Sequence, residues 1–514
     1  MLGGLVQTRL ANIRSVLSKG FIKEFYKRDQ RAGMNSDNQG SKKSITTQIA
    51  IGAFVGAAVG DALGAPFEFK SGGLYSSTFP AAVVGGLGEM TGGGGWSPGE
   101  FTDDTQMAIA LAESLIANRG INSADLWDRW RAWASSANDV GILTRRALSS
   151  EGFEGAALKA EVSNGGKSAG NGSVMRNTPI ALFLFDQPLP VVIEAAIAQS
   201  ALTHNDPQAG FGAAIHAAMI SAGIQGVDMF GAIDDALALL PVEASETWGP
   251  LLGDGWTPVD SKLTNGTVWT CLAQAVWALR TSSTFEEAVT KAVDLGDDAD
   301  TVGCVAGSLA GARWGIQSIP SRWTTYLNGS VATPLDGGGI ETRTYNYNAL
   351  QELSRALLGL IKIGPTAPDD PGGPTRVYDT LPIYAADLQG ASKAPTDWAV
   401  ISLCRPEGHF ENHPVRREVF LIDKDHATEN HNVLAALNDA VESIDAFLAE
   451  NPDRELLVHC HGGKSRTAFV LKAWAMKRNG WSEEEAHEWL VSSWPRASRE
   501  NPIFLSILRN DWLQ

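Results

Sequence analysis

The chain has 514 residues, more than one ordinary hydrophobic core accommodates, so two or three domains are expected. Its formal net charge of −17 argues against non-specific nucleic-acid binding by the body of the protein, because affinity for a phosphate backbone needs clustered lysine and arginine. A composition of 44% hydrophobic and 19% charged residues excludes a mainly disordered chain.

The first 45 residues carry nine lysines or arginines against three acids, a local net charge of +6 (9 − 3). Apolar residues recur there at roughly helical spacing, which is typical of a membrane-surface or targeting helix. A disordered extension, or a chain start at Met34, is the favoured interpretation. No unbroken apolar core precedes a small-residue cleavage site, so a secretory signal is not expected.

Residues 46–362 form the first predicted domain. Apolar residues lie three and four positions apart in segments 107–117, 195–202, 212–222 and 305–312, and convincing two-residue alternation is absent. An all-α bundle is therefore predicted, in which frequent alanine and glycine let the helices approach closely. No run of about 18 apolar residues is apparent, so we expect no transmembrane segment.

A linker is predicted at residues 363–375, because GPTAPDDPGGP (364–374) holds four prolines and three glycines in eleven residues. Residues 376–514 then read as an α/β domain. Strands are expected at 398–403, 419–422 and 456–458, and helices at 433–448, 467–477 and 483–492. This alternation implies a mainly parallel central sheet covered by helices.

Two acidic segments precede predicted helices: FTDDTQ at 101–106 and GDDADTVG at 296–303. Threonine and aspartate are ordinary helix caps, and acids suit the positive end of a helix dipole. If the two segments converge, however, the mutual repulsion of their carboxylates demands a cation. Hard oxygen ligands of this kind favour Mg²⁺ or Mn²⁺ over zinc. The spacing alone leaves capping and metal binding open.

Seven segments in order carry a resemblance: 51–69 (IGAFVGAAVGDALGAPFEF), 102–105 (TDDT), 170–176 (GNGSVMR), 202–204 (LTH), 296–303, 306–315 and 319–320. Together they resemble the ADP-ribosylglycohydrolase family, which includes the dinitrogenase reductase-activating glycohydrolase. The resemblance implies an orthogonal all-α bundle that removes ADP-ribose by cleaving the bond at ribose C1″.

The same resemblance implies the residues of the site. Two Mg²⁺ or Mn²⁺ ions are expected on Thr102, Asp103, Asp104, Asp298, Asp300 and Thr301. Contacts to the ribose and diphosphate are expected from Asn171, Gly172, Ser173, Arg176 and His204, with Arg176 as the charged contact. A lone histidine such as His204 is by itself more often a cap or turn residue. Glu68 is expected near the metals and the scissile bond, and either Glu68 or Asp103 is the candidate general base. The family often has glycine at the position of Asp297.

A second centre is predicted at 456–467 (LLVHCHGGKSRT), where a short strand ends at Cys460 and a helix begins near Arg466. Five intervening residues can curl their N–H groups around one phosphate, with the helix N-terminus behind it. The positive electrostatic field of these N–H groups and of the helix N-terminus favours a Cys460 thiolate. Arg466 can hold phosphoryl oxygens in bidentate fashion. Gly462 and Gly463 are expected to permit the strained backbone. A buried cysteine and a surface arginine that happen to be six apart are the simpler alternative.

Residues 381–512 resemble the dual-specificity phosphatases, mainly through 459–467 and RENPIFL at 499–505. The resemblance implies that Thr467 assists the leaving thiolate and that an aspartate before the cysteine is the general acid, with Asp425 preferred and Asp423 second. Phosphate contacts are expected from His461, Gly462, Gly463, Lys464 and Ser465. The basic cradle is similar to the lipid-phosphatase branch and favours highly anionic substrates.

A bifunctional hydrolase is the leading hypothesis, acting on an ADP-ribosylated protein, nucleic acid or small molecule and on a phosphorylated substrate. The alternative is an ADP-ribose-binding module without hydrolysis attached to an active phosphatase, and a third hypothesis makes the second domain a phosphate-binding scaffold. Four well-separated cysteines (Cys271, Cys304, Cys404 and Cys460) indicate a reducing, cytoplasmic location. No oligomeric state is predicted.

Overall fold

The computed structural model describes residues 44–335, 337–360, 373–406, 408–424, 430–498 and 500–513, together with the backbone of a helix from Asp37. Predictions about residues 1–36, most of the linker and Asp425 lie outside the described residues. Residues Ser44–Gln514 form one compact unit with two large hydrophobic clusters.

The N-terminal body is helical, as predicted. Its α-helices in chain order are α1 (Asp37–Gly64), α2 (Leu74–Thr78), α3 (Asp103–Asn118), α4 (Ser123–Ala134), α5 (Ile142–Leu148), α6 (Ala156–Ser163), α7 (Thr178–Phe183), α8 (Leu189–Ser200), α9 (Pro207–Gln225), α10 (Gly231–Leu239), α11 (Val242–Leu252), α12 (Val268–Arg280), α13 (Phe285–Val293), α14 (Ala299–Trp314), α15 (Ser321–Thr324) and α16 (Tyr347–Leu357). Short 3-10 turns occupy Ala65–Phe67, Pro258–Asp260 and Ile316–Ser318.

Helices α1 and α14 touch backbone to backbone through three glycine pairs. Gly52 faces Gly311, Gly56 faces Gly307 and Gly60 faces Gly303. A Cβ on Gly303 would lie 2.5 Å from the carbonyl oxygen of Gly60, a distance that no side chain tolerates. The antiparallel pairing therefore brings the end of α1 against the start of α14.

Part of α1, with the following turn (Ser44–Phe67), is long and apolar enough to cross a membrane by length and composition. The sequence expectation concerned unbroken apolar runs, and Asp61 interrupts this one. The stretch is almost entirely buried inside the protein, and its residues are central to the larger hydrophobic cluster. The same composition that suits a bilayer therefore suits the core helix of this bundle.

The body also contains an antiparallel hairpin, which the prediction of an all-α bundle missed. Strand β1 (Asn328–Pro334) pairs with β2 (Ile340–Asn346), and Gly337, Gly338 and Gly339 turn between them with positive φ angles. Thr333 and Tyr345 both donate hydrogen bonds to Glu113 of α3. Most of β2 faces solvent, so its sequence lacks the apolar alternation that announces a half-buried strand.

The C-terminal domain is built on a five-stranded sheet of order β3-β4-β7-β5-β6, parallel except for the β3–β4 pair. Its strands are β3 (Thr375–Arg376), β4 (Ile383–Asp387), β5 (Ala399–Ser402), β6 (Arg416–Glu418) and β7 (Leu456–Cys460). Its helices are α17 (Leu388–Ala391), α18 (Val433–Glu450), α19 (Ser465–Asn479), α20 (Glu483–Ser493) and α21 (Pro502–Asn510). The predicted mainly parallel sheet and its three long helices are confirmed.

One predicted strand of this domain was misplaced, and another was missed. The apolar run 419–422 is not a strand: β6 ends at Glu418, and Phe420 packs against the hydrophobic cluster of the helical body. Val419 and Leu421 are buried in the core of the C-terminal domain itself, so the run is apolar because it is buried on both sides and not because it is a strand. Strand β4 was missed because its sequence, IYAAD, is short and ends in an acid.

Candidate active sites

The two acidic segments converge at adjoining helix ends. Thr102 Oγ1 lies 3.5 Å from Asp300 Oδ2, and Thr301 Oγ1 lies 3.4 Å from Asp104 Oδ2. Carboxylate oxygens of Asp61, Asp104 and Asp300 lie within 4.8 Å of one another. A second trio of Glu68, Asp298 and Asp300 meets the same limit. The acidic centre thus consists of two trios that share Asp300.

Ordinary capping does not explain these residues. Thr102 is the N-cap of α3 and Asp298 is the N-cap of α14, yet neither side chain makes a capping hydrogen bond. The start of α3 is instead satisfied from α1, because Asp61 accepts hydrogen bonds from the backbone N–H groups of Thr102 (2.9 Å) and Thr105 (3.0 Å). The helix starts therefore present their own acids to a shared centre.

Asp61 was missed by the sequence analysis. It is fully buried and also accepts a hydrogen bond from the Thr105 hydroxyl at 2.6 Å. A signal was available, since Asp61 is the only charged residue in the apolar run from 48 to 67. An unpaired charge in a core helix is costly and is seldom kept without a partner.

The electrostatics of the acidic centre demand positive charge. Burial raises the pKa of Asp61 to about 6, and burial together with neighbouring carboxylates holds the pKa values of Asp103, Asp104 and Asp300 well above their usual range. Among the described residues no lysine or arginine forms an ion pair with these acids. Within the same residues, buried Asp104 Oδ1 has no hydrogen-bond partner. Hard divalent cations fit this oxygen-only donor set.

Glu68 lies at the less buried side of the centre. Its pKa is raised to about 7 by burial first and then by the charges of Asp298, Asp139 and Asp61. Asp139, like Asp61, was not singled out from the sequence. Glu68 and Asp298 are half-buried whereas the other acids of the trios are buried, so these two lie where the cluster meets solvent.

The loop at 170–173 is hydrogen-bonded to the acidic centre. Asn171 Nδ2 donates to Asp298 Oδ2 (2.8 Å) and to the carbonyl of Asn265 (3.0 Å), whose own side chain accepts from the Asp298 N–H (2.9 Å). Ser173 is buried and donates to the Ala209 carbonyl. Of this loop, Asn171 therefore orients an acid of the acidic centre, and Asn265 is a supporting residue that was not predicted.

His204 lies directly against the same loop. A Cβ on Gly172 would lie 3.1 Å from His204 Cε1, so glycine is what lets the imidazole approach. Nδ1 of His204 is 2.8 Å from the Thr203 hydroxyl. Burial, and secondarily Arg176, lowers the pKa of His204 to about 3, so the ring is neutral near pH 7.

Arg176 does not reach the cleft, contrary to the expected charged contact. It is completely buried, and its guanidinium carbon lies 4.0 Å from the Trp130 ring centroid. Its Nε donates to Gln199 Oε1 (2.9 Å) and its Nη2 to Thr203 Oγ1 (2.8 Å). Arg176 therefore supports the segment that carries His204, and the motif GNGSVMR mixes ligand-facing and core positions.

The second centre has the predicted strand–loop–helix form. Cys460 is the buried last residue of β7 and pairs in register with Asp387 of β4, while Arg466 lies in the first turn of α19. Gly463 has φ +61°, and a Cβ there would lie 2.7 Å from the Asp387 nitrogen. Gly462 has neither restriction, so of the two glycines only Gly463 is required by the backbone.

The carbonyls of this loop are held from behind. Trp494 Nε1 donates to the Gly463 carbonyl (2.9 Å), and Arg496, paired with Asp387 at 2.8 Å, donates to the Gly462 carbonyl (3.4 Å). No described residue accepts a hydrogen bond from the backbone N–H groups of residues 461–464. Among the described residues the Gly462 and Gly463 carbonyls are thus satisfied, whereas the loop N–H groups have no acceptor. Lys464 is exposed and His461 and Ser465 are half-buried beside them.

Arg466, Thr467 and Asp423 complete this centre. Arg466 Nη1 donates to the carbonyls of Leu403 (2.9 Å) and Leu421 (3.2 Å), and its buried Nε, like Thr467 Oγ1, lacks a partner within the described residues. Asp423 is exposed and accepts a hydrogen bond from Asn501 Nδ2 at 3.1 Å. The Arg466 Nε and Thr467 hydroxyl are thus buried polar groups that remain unsatisfied within the described residues.

Comparison with known proteins assigns both bodies. The model of the ADP-ribosylglycohydrolase family matches residues 43–361, and that of the dual specificity phosphatase catalytic domain matches residues 399–510. The ADP-ribosyl-[dinitrogen reductase] glycohydrolase of Rhodospirillum rubrum is 34% identical over 286 residues, covering 55% of this chain and 91% of the relative. The ADP-ribosylarginine hydrolase Tri1 of Pseudomonas putida is 31% identical over 288 residues, covering 53% of this chain and 72% of the relative.

A solved ADP-ribosylglycohydrolase-related protein complex is 30% identical, with a TM-score of 0.49, and covers 61% of this chain and 98% of that one. The chain belongs to the ADP-ribosylglycohydrolase family. It carries a dual specificity phosphatase catalytic domain after the glycohydrolase body.

Proposed function

We propose that the chain is a bifunctional hydrolase, which releases ADP-ribose at the acidic centre and cleaves phosphate monoesters at Cys460. The glycohydrolase half rests chiefly on one observation, the two acidic trios that share Asp300. We assign two Mg²⁺ or Mn²⁺ ions to Thr102, Asp103, Asp104, Asp298, Asp300 and Thr301, and add Asp61. Bound there, divalent cations would neutralise the cluster and supply Lewis-acid activation at the ribose.

The chain's own residues supply the proton transfer and the orientation. Glu68, half-buried beside Asp298, is the proposed general base that takes a proton from the attacking water. The hydroxide oxygen bonds to ribose C1″, the bond from C1″ to the acceptor atom breaks, and the proton taken by Glu68 passes to the leaving acceptor directly or through solvent. Asn171 holds Asp298 in place, and neutral His204 packs beside the loop that receives the ribose and diphosphate.

The glycohydrolase is tested with ADP-ribosyl-arginine and ADP-ribosyl-serine in the presence of Mg²⁺ or Mn²⁺. Asp300→Asn is expected to abolish release of ADP-ribose and to weaken Mn²⁺ binding measured by calorimetry, because both trios lose a ligand. Asp297→Asn is the matched control: Asp297 is exposed, lies outside both trios, and has φ +57°, a conformation that asparagine tolerates. If the wild type binds ADP-ribose but releases none from any substrate, the binding-module hypothesis replaces this one.

At the second centre the Cys460 thiolate attacks phosphorus, a thiophosphate ester forms, and the ester oxygen leaves with a proton from an acid. Asp425 remains the first candidate for that acid and Asp423 the second. Water then cleaves the thiophosphate ester, with Thr467 stabilising the departing thiolate. The available loop N–H groups and Arg466 carry this assignment.

Hydrolysis of p-nitrophenyl phosphate tests the phosphatase. Cys460→Ser is expected to abolish turnover, whereas Cys404→Ser, at a half-buried cysteine outside the loop, is expected to keep it. If Cys460→Ser still hydrolyses the substrate, Cys460 is not the nucleophile. If the wild type binds phosphate but hydrolyses nothing, the domain is a phosphate-binding scaffold. The basic residues His461 and Lys464 lead us to expect faster turnover of multiply phosphorylated substrates than of a lone phosphotyrosine.

We also propose a reducing, cytoplasmic location, because none of the four cysteines, all of them within the described residues, forms a disulfide, and Cys460 acts only as a thiol or thiolate. Fractionation of cells that produce the protein tests this placement. Recovery from an oxidising compartment with Cys460 oxidised would contradict it.

A further inference from the structure

One segment of the phosphatase domain lies between the two bodies. We name residues 419–424, which follow β6, the β6 extension. It begins with a sheet-like hydrogen bond from Val419 N to the Ser402 carbonyl (2.9 Å) and then leaves the sheet. The Leu421 carbonyl accepts a hydrogen bond from Arg466, and Asp423 is exposed two residues later. We call residues 460–466 the phosphate-binding loop, after its proposed role. The β6 extension therefore borders this loop directly.

Within the described part of the chain, Gln317 is the side chain of the helical body that hydrogen-bonds to this extension, whose Phe420 also packs on that body. Gln317 is 4% exposed and lies in the 3-10 turn that follows α14. Its Nε2 donates to the Phe420 carbonyl (3.2 Å) and to Asn430 Oδ1 (2.9 Å), and its Oε1 accepts from the Asn432 N–H (2.9 Å). One amide thus binds both ends of the connection between β6 and α18, at Phe420 and at residues 430 and 432.

Asn430 ties the two sides to each other. Its Oδ1 accepts from the Ile422 N–H (3.2 Å) and its Nδ2 donates to the Ile422 carbonyl (2.8 Å). His431 is held by a further residue of the body, since its N–H donates to Gln48 Oε1 at 3.1 Å. Gln48, Gln317 and Asn430 are all buried, and buried amide networks with satisfied partners are rigid.

Two successive carbonyls of the β6 extension accept hydrogen bonds from different parts of the protein. Phe420 O accepts from Gln317 of the helical body, and Leu421 O accepts from Arg466 of the phosphate-binding loop. A shift of the extension at Phe420 would therefore be transmitted to Arg466 through one residue of backbone. Gln317 itself follows α14, whose first turn carries Asp300.

We propose that Gln317, a residue of the glycohydrolase body, is a positioning residue for the phosphatase centre. It holds the β6 extension so that Leu421 orients Arg466 and Asp423 stays beside the loop. The proposal rests on the proposed phosphatase activity. It makes the helical body a required part of the phosphatase rather than a tethered neighbour.

The test compares full-length wild type with Gln317→Ala and with Tyr326→Phe. Tyr326 donates a hydrogen bond across the same interface to the Arg416 carbonyl (3.2 Å) but has no described hydrogen bond to the β6 extension, so its variant is the matched control. Each protein is assayed with p-nitrophenyl phosphate, which needs little acid assistance, and with phenyl phosphate, which needs much. We expect Gln317→Ala to lower kcat/KM for phenyl phosphate about tenfold or more, and for p-nitrophenyl phosphate by less. Tyr326→Phe should stay within about twofold of wild type on both substrates.

Hydrogen exchange is measured on the same three proteins. The Ile422 and Asn432 amides should exchange faster in Gln317→Ala than in wild type, with the melting temperature nearly unchanged. Equal kcat/KM in wild type and Gln317→Ala on both substrates would overturn the proposal, and so would equal losses in both variants. If the wild type cleaves neither substrate, the phosphatase assignment fails, and unchanged exchange at the two amides would then overturn the ordering role of Gln317 separately.

Discussion

Replacing Gly307 by alanine tests whether the glycine pairs between α1 and α14 build the acidic centre. A Cβ at Gly307 would overlap the carbonyl oxygen of Gly56 and lie 2.8 Å from its carbonyl carbon. Carbon atoms pack at about 3.5–4.0 Å, so the helices must separate by roughly 1 Å. Such overpacking typically costs about 1–3 kcal/mol, and backbone atoms relieve it less easily than flexible side chains.

Alanine also improves helix propensity by up to about 1 kcal/mol, so the net loss of stability is expected to be about 1–2 kcal/mol. Thermal unfolding should then show a melting temperature lower by several degrees, on the order of 2–4 °C per kcal/mol. Because α14 carries Asp300 two turns before Gly307, calorimetry should also show weaker Mn²⁺ binding, although no ligand is changed.

Gly210→Ala is the matched control for that substitution. Gly210 is also a helical glycine, in α9, but a Cβ there would meet the Ile197 side chain at 3.4 Å, an ordinary contact. Its melting temperature should equal or exceed that of wild type. If Gly307→Ala matches wild type in both stability and Mn²⁺ affinity, close helix approach does not organise the acidic centre.

Three further substitutions test other parts of the structure. Burial raises the pKa of Glu418 to about 7 in the folded protein, so its contribution to stability is greatest below its unfolded pKa of about 4.5 and falls as pH rises toward 7. In the wild type, the free energy of unfolding measured with urea should therefore fall by about 1–3 kcal/mol more between pH 5 and pH 8 than in Glu418→Gln. An equal dependence of the free energy of unfolding on pH in the two proteins would contradict the raised pKa of Glu418. Lys472 and Glu483 form a buried ion pair at 2.8 Å, and Glu483→Gln should cost about 3 kcal/mol by denaturant unfolding, against less than about 1 kcal/mol for exposed Glu484→Gln. Arg176→Lys should lower the melting temperature because lysine cannot reproduce the forked contacts over Trp130, while leaving KM for the ADP-ribosylated substrate within about twofold; a selective rise in KM would restore Arg176 to the ligand site.

The phosphate-binding loop was predictable because its parts are contiguous. A strand ending at Cys460, five residues, and a helix containing Arg466 specify a local backbone shape whose chemistry follows from spacing. The acidic centre was predictable in part, since the sequence shows two acidic segments before helices, TDDT and GDDADTVG. Asp61 was not foreseen, because nothing within α1 itself shows that α3 begins beside it. Arg176 was misassigned because a contiguous motif does not tell which of its side chains face the core.

The sequence by itself determined the helical body, the parallel sheet and the two reactive motifs, because hydrophobic period and turn chemistry act within a few residues. Only the tertiary structure decided that Gly60 meets Gly303, that Asp300 belongs to two acidic trios, and that Phe420, after β6, packs on the helical body. These outcomes depend on contacts between residues far apart in the chain. Local patterns cannot specify them, because each side of such a contact is compatible with many partners until the cores close.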